Sequence, residues 1–194
     1  MKNQIGSLDA TPLKRLYLSI IADYDLKKAI CELIDNAIDI WVIKNRASNL
    51  NIHITLDLTQ QSINVGDDAG GVNKSDLSFI VGPGHTGNLD TSETIGIFGV
   101  GTKRAVVALA QEIKIRTRYQ KGDTYQIEFD DMWIKQNDDW NLPVFQIDNI
   151  KVGTTEIELV KLRNQITEDK ISQLKQHLGA TYGLAPIKWT RLMS

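Results

Sequence analysis

Apolar residues recur at helical spacing from Leu26 to Asn45, and this stretch predicts the longest helix of the chain. At about 100° per residue, the apolar positions share one broad arc: Ala29, Ile30, Leu33, Ile34, Ala37, Ile38 and Trp41. The opposite side carries Glu32, Asp35, Asn36 and Asp39. The segment Asp23–Asp25 precedes the pattern and can cap the helix. One face therefore packs on a core, while the other presents carboxylate and amide groups.

The polar face of this helix has an unusual composition. Asn and Asp are poor interior helix formers, because their short side chains compete for backbone hydrogen bonds. Glu32 and Asn36 are one helical turn apart, so their side chains can contact the same small ligand or ion. A carboxylate beside a neutral oxygen donor suits an activated water next to a hydrated Mg²⁺ ion. For this helix taken alone, a solvated acidic face remains the alternative.

The remaining pattern predicts strands and turns with a helix near each end. Thr11 and Pro12 begin a short helix over about Pro12–Ile20. Alternating apolar and polar positions predict strands at 51–58, 62–66, 114–119, 125–130, 144–147 and 153–160. Further helices are expected from Asn73 or Ser75 to Ile80, over 106–110, and over about Asp169–Gly179. Residues 131–143 are a polar excursion, and residues 180–194 are a tail with uncovered apolar residues. Such a tail indicates either that more protein follows or that the tail packs on a neighbour.

Two glycine-rich stretches adjoin these elements. Asp67 lies at a strand end before Gly70 and Gly71, where its carboxylate can accept a hydrogen bond from the exocyclic amino group of a base. An ordinary acidic turn is the alternative. The second stretch, Gly96–Gly101, leads into a helix with Lys103 in its first turn, an arrangement that favours an anion such as phosphate. It matches neither the P-loop nor the Rossmann pattern.

Composition sets outer limits on the function. With 194 residues, 42% hydrophobic and 24% charged, the chain can bury the core of one large domain. A net charge of −2 gives no general basic surface for nucleic acid, so DNA binding is unsupported, although Arg104, Arg116 and Arg118 leave a local patch open. The single cysteine, Cys31, excludes a disulfide framework. No run is apolar and long enough to span a bilayer, and a cytoplasmic location is expected.

Four segments, taken in order, resemble the Bergerat-fold (GHKL) ATPases, which include gyrase, the ninety-kilodalton heat-shock chaperones, sensor histidine kinases, MutL and the microrchidia proteins. The segments are Glu32–Asp39, Asp67–Gly71, Gly96–Gly101 and Gly153–Thr154. The resemblance implies an α+β fold of two layers, with a mixed, mostly antiparallel sheet covered on one face by helices and a long ATP lid at 82–95. Ala69 stands where the family usually has glycine.

The resemblance also implies roles for individual residues. Glu32 is expected to be the general base that activates the attacking water, and Asn36 is the expected Mg²⁺ ligand. Lys103, the second expected catalytic residue, would help to hold the phosphates and stabilise the charge of the transferring phosphoryl group. Asp67 would read adenine, and Thr154 would support that site. The full set of expected nucleotide-binding residues is Asn36, Asp39, Asp67, Gly71, Gly96, Gly99, Val100, Gly101, Thr102, Lys103 and Thr154.

The expected activity is Mg²⁺-dependent hydrolysis of ATP to ADP and phosphate, which closes the lid and dimerises the domain. Two alternatives remain: a protein histidine kinase, and a nucleotide-sensing module without turnover. The lid start and the Gly101-Thr102-Lys103 segment look closest to microrchidia or chaperone-like members. Residues 1–194 are expected to form one domain, with a core at about 12–160 and a C-terminal helix and tail at 167–194. This domain would be the N-terminal module of a longer protein whose client is unknown.

Overall fold

The computed structural model describes residue 21 and residues 24–45, 49–81, 101–136, 139–183 and 187–192. For residues 101–102 and 187–192 it describes the backbone alone. The short helix predicted at 12–20 lies outside the described residues.

One mixed sheet contains all seven described strands. In chain order these are β1 (Ile52–Asp57), β2 (Ser62–Asp67), β3 (Ala110–Arg118), β4 (Thr124–Asp130), β5 (Val144–Ile147), β6 (Thr155–Leu162) and β7 (Ile187–Leu192). Their order across the sheet is β5-β4-β3-β6-β2-β1-β7. Neighbours pair antiparallel, except for β1 and β7, which pair parallel. The predicted α+β fold with a mostly antiparallel sheet is confirmed.

The described helices are α1 (Leu26–Ile43), α2 (Leu77–Val81), α3 (Gly101–Leu109), α4 (Asp131–Lys135) and α5 (Glu168–Tyr182), with a 3₁₀ turn at Lys74–Asp76. Asp25 caps α1, where its side chain accepts a hydrogen bond from the Lys28 backbone N–H. Thr167 caps α5 in the same way, through the N–H of Lys170. The caps therefore fix where these two helices begin, as the sequence predicts.

The core lies between the helices and one face of the sheet. Alternate strand residues such as Ile54, Ile63, Ile115 and Leu159 are buried, and they share one hydrophobic cluster with residues of α1, α3 and α5. On the other face of β3 and β6, Arg116 pairs with Glu158 at 2.8 Å. The sheet thus has one apolar face under the helices and one charged face, the two-layer arrangement that the alternation predicts.

Beyond shifts of a few residues at the ends of elements, the structure differs from the sequence prediction in three places. The helix predicted at 106–110 already begins at Gly101, and Ala110 begins β3. The polar excursion contains α4, which Asp130 caps by accepting a 2.9 Å hydrogen bond from the Trp133 N–H. Within the predicted tail, residues 180–182 continue α5 and Ile187–Leu192 forms β7. Short helices and edge strands like these depend on distant packing, so local periodicity signals them poorly.

We expect α5 to be part of the cooperative core. Leu174 in α5 is 0% exposed, so Leu174→Ala should lower the free energy of unfolding by about 2–5 kcal/mol through a buried cavity. Gln176→Ala, at an exposed position of the same helix, is the matched control and should change it by less than about 0.5 kcal/mol. Urea unfolding measures both; equal effects would show that α5 does not share the core.

Candidate functional site

Some side chains on the polar face of α1 make packing contacts, and others lie at a candidate site. Asp35 accepts a 2.7 Å hydrogen bond from the Tyr182 hydroxyl, which ties α1 to α5. Burial raises the pKa of Asp35 above its ordinary value, against the effect of this hydrogen bond. Asn36 donates from Nδ2 to the backbone carbonyl of Glu32, which leaves its side-chain oxygen as the acceptor for a ligand. Asp39 is 5% exposed, and its burial is consistent with a supporting rather than a solvated position.

Tyr24 connects Glu32 to the first turns of α3. Its hydroxyl donates a 3.1 Å hydrogen bond to Oε1 of Glu32, and the Arg104 guanidinium lies 4.9 Å from the centre of its ring. Burial raises the pKa of Tyr24 to about 12, and the Glu32 carboxylate adds to the rise. The phenol therefore stays protonated and donating at neutral pH. This contact places the expected general base beside the helix that carries Lys103.

Lys103 lies in the first turn of α3 and is 2% exposed. Burial lowers its pKa to about 8, because a charged ammonium loses hydration in the protein interior. Gly101 and Thr102 begin the same helix, whose first backbone N–H groups form the kind of terminus that binds anions. The other predicted phosphate contacts, Gly96, Gly99 and Val100, and the predicted lid at 82–95 lie outside the described residues.

Asp67 ends β2, and its carboxylate accepts a 3.0 Å hydrogen bond from the N–H of Ala69. Although the residue keeps some exposed surface, burial of its carboxyl group raises the pKa to about 7. The neighbouring Asp68 adds to this rise, while the Ala69 N–H and Lys44 oppose it. A buried carboxyl group with a strongly raised pKa is typical of a functional site.

Asp68, by contrast, has a structural role. Its two carboxylate oxygens accept hydrogen bonds from the backbone N–H of Asn51 at 2.7 Å and from Asn51 Nδ2 at 3.0 Å. These bonds fasten the end of β2 to the start of β1. Of the two adjacent acids, Asp67 is the one for which the sequence predicts contact with a ligand, and this role stays a prediction.

Three chain segments meet beside Asp67. The N–H of Gly70 donates to the carbonyl of Gly153 at 2.8 Å, and the N–H of Gly153 donates to the carbonyl of Arg118 at 2.9 Å. Across the sheet, Asp67 is paired with Thr155. The neighbouring hydroxyl of Thr154 is buried, and no described residue supplies it with a hydrogen-bond partner. A buried hydroxyl without a partner is costly, so a ligand or water at this point would stabilise it.

Two threonines that sequence reasoning missed support this junction. The hydroxyl of Thr117 accepts a 2.8 Å hydrogen bond from the Val72 N–H and lies 3.1 Å from the hydroxyl of Thr155. Both residues are buried. Both threonines occupy core-facing positions of strands whose other core-facing residues are apolar. A hydroxyl group in such an apolar series needs a hydrogen-bond partner, and this is the sequence signal that could have identified these two residues.

Position 71 requires glycine because of its backbone conformation and because no space is left for a side chain. Its φ angle is +65°, and a Cβ atom there would lie 2.1 Å from the carbonyl oxygen of Arg118. Any side chain would therefore separate the turn from β3. The predicted residues Asp67, Gly71 and Thr154 thus lie together at one junction, while Glu32 and Asn36 lie on α1, which reaches the same turn through Lys44.

The sequence matches the family model described as "Histidine kinase-, DNA gyrase B-, and HSP90-like ATPase" over residues 24–170. This range covers well over half of the chain and includes α1, the Asp67 turn, α3 and Thr154. No curated protein sequence matches the chain. Among the described residues, no group of three or more His, Cys, Asp or Glu side chains could hold a metal ion. No helix in the described ranges combines the length and apolar character needed to cross a membrane.

We expect Gly71→Ala to disrupt the junction. The new methyl group would collide with the Arg118 backbone and would also strain a positive φ angle, so the free energy of unfolding should fall by at least about 1–3 kcal/mol. Gly179→Ala is the control, because nothing lies within 4 Å of a Cβ atom at this helical position. Thermal unfolding compares them; a Gly71→Ala protein as stable as wild type would show that the approach to β3 is not tight.

Proposed function

Because this chain belongs to the histidine kinase-, DNA gyrase B- and HSP90-like ATPase family, we propose that it binds ATP together with Mg²⁺ and hydrolyses it to ADP and phosphate. The observation that carries the proposal is that the turn after Asp67 is hydrogen-bonded to Gly153, directly before Thr154. The buried hydroxyl of Thr154 has no hydrogen-bond partner among the described residues. A carboxylate accepts from an amino group, and a hydroxyl both donates and accepts. Together they suit the amino and ring-nitrogen edge of adenine.

The proposed hydrolysis depends on Glu32. The hydrogen bond from Tyr24 holds one carboxylate oxygen, which leaves the other to orient a water molecule and to take its proton as it attacks the γ-phosphorus. The phosphate oxygens would lie near the first turn of α3, where Lys103 and the helix N–H groups balance their negative charge. The leaving group is then ADP, and the proton taken by Glu32 returns to solvent.

The side-chain oxygen of Asn36 fits a magnesium ion bound mainly by phosphates and water. Mg²⁺ prefers oxygen ligands, keeps several waters and is often held by one or two protein groups. The ion would neutralise phosphate charge and help to orient the chain of phosphates.

Several wider expectations stay predictions. They are ATP-dependent homodimerisation, a cytoplasmic location and a place as one module of a larger machine. Light scattering with and without a non-hydrolysable ATP analogue measures the first of them. DNA binding has no support from the overall charge of −2.

Glu32→Gln should separate binding from turnover. The amide cannot take a proton, so phosphate release should fall by about 10²- to 10⁴-fold, while ADP affinity stays close to that of wild type. Asp35→Asn, on the same helix but bonded to Tyr182, is the control and should keep turnover. Equal phosphate release above background in wild type and Glu32→Gln would contradict the proposed base, and release at background in both would favour a module without useful turnover. Acid-labile label on protein after incubation with labelled ATP would instead indicate a kinase.

Asp67→Asn should weaken ADP binding. A charge-assisted hydrogen bond is lost, which corresponds to an affinity loss of about tenfold to a hundredfold. Asp68→Asn is the matched control, because the neighbouring carboxylate is engaged with Asn51 and should not contact the base. Calorimetric titration of ADP measures both variants. Equal affinity for wild type and Asp67→Asn would remove Asp67 from the base site.

A further inference from the structure

Lys44 joins the end of α1 to the turn that follows Asp67. It is the residue immediately after the helix, and its ammonium nitrogen donates to the carbonyl oxygens of Gly70 and Gly71, each at 2.9 Å. The same nitrogen lies 4.1 Å from the centre of the Tyr119 ring, just past the end of β3. One side chain therefore ties together a helix, a turn and the end of a strand.

The aliphatic part of the Lys44 side chain also packs closely, against the backbone of Gly70. A Cβ atom at Gly70 would lie 2.5 Å from Cδ and 2.7 Å from Nζ of Lys44. Gly70 thus leaves the space that the lysine occupies. A lysine serving only as a solvated helix end would not fill this space and would not direct its charge onto two carbonyl groups of a single turn.

We propose that Lys44 is a positioning residue of the nucleotide site, which fixes the Gly70–Gly71 turn through its two carbonyl contacts and favours the charged form of the nearby Asp67 carboxyl group. The inference rests on the proposed function, because it assigns to Asp67 the reading of the base. No role was predicted for Lys44 from the sequence, since its partners are brought to it by the fold.

The charges around the two groups decide the direction of the effect. Asp67 faces the negative charge of Asp68 and the positive charge of Lys44, together with the N–H of Ala69. Lys44 faces Asp67 and Asp76, while burial lowers its pKa. On the far side, Lys151 lies 4.0 Å from Asp68 and is largely exposed. Lys44 is therefore the cation whose removal acts directly on Asp67.

The sign of the pH effect follows from these charges. Burial raises the pKa of Asp67 to about 7 and Lys44 opposes that rise, so removing the lysine charge raises the pKa further. At neutral pH a smaller fraction of the carboxyl group is then ionised, and ADP binds less tightly. At pH 9 the group is ionised with or without Lys44, so the effect of the charge should disappear.

The experiment compares Lys44→Gln, which keeps a hydrogen-bond donor without the charge, with Lys44→Arg, which keeps the charge. ADP affinity is measured by calorimetry from pH 5.5 to 9 on the full chain. In wild type the affinity should fall as the pH drops through about 7. In Lys44→Gln the midpoint should move upward, so that the affinity falls at pH 7 and is unchanged at pH 9, and in Lys44→Arg it should not move.

Two further variants distinguish the role of Lys44 from nucleotide binding itself. Lys151→Gln removes a nearby lysine charge that does not contact the turn, and its profile should match wild type. Lys44→Met replaces Lys44→Gln if thermal unfolding shows that the glutamine variant is not folded. A loss of affinity that is the same at every pH, or an unshifted midpoint, would overturn the role of Lys44 while leaving the proposed function intact. Wild type that fails to bind ADP at pH 8 would overturn both.

Discussion

The contact between the Gly71 backbone and the Arg118 carbonyl is the constraint on which the rest of the site depends. A Cβ atom at Gly71 would lie 2.1 Å from that oxygen, so the turn after β2 reaches β3 only because glycine is present. Hydrogen bonds through Gly70 and Gly153 then close the junction. The Asp67 carboxyl group and the Thr154 hydroxyl are both buried at this junction. Among the described residues the hydroxyl has no hydrogen-bond partner, so a bound base or a water molecule would stabilise it.

The long helix α1 links this junction to the expected chemistry. Its apolar side, with residues such as Ala29 and Ile30 at 0% exposure, belongs to the hydrophobic core, so the helix cannot shift without disturbing the packing. Its polar side carries Glu32 and Asn36. Lys44, directly after the helix, donates a hydrogen bond to the turn that follows Asp67. A rigid element thus sets the spacing between the groups expected to act on phosphate and the groups expected to read the base.

Sequence reasoning succeeded where the signal is local. Alternation located the strands because their inward positions are apolar, and the spacing of Glu32 and Asn36 indicated one helix face. The sequence predicts close approach at Gly71 but not its partner, and it predicts no role for Lys44, because Arg118 and Tyr119 lie far along the chain. The same reason applies to β7, whose place beside β1 is a long-range parallel pairing, and to Thr117, whose hydroxyl matters only once Val72 is brought to it. Roles expected for Gly96, Gly99 and Val100 stay predictions.

A structure of the chain crystallised with Mg²⁺ and a non-hydrolysable ATP analogue tests the central claim most directly. The account predicts that the adenine amino group donates to the Asp67 carboxylate, that the Thr154 hydroxyl gains a partner on the base side or through one water, and that the γ-phosphate lies on the side of Glu32. A nucleotide bound elsewhere, with Asp67 and Thr154 not in contact with it, would contradict the account.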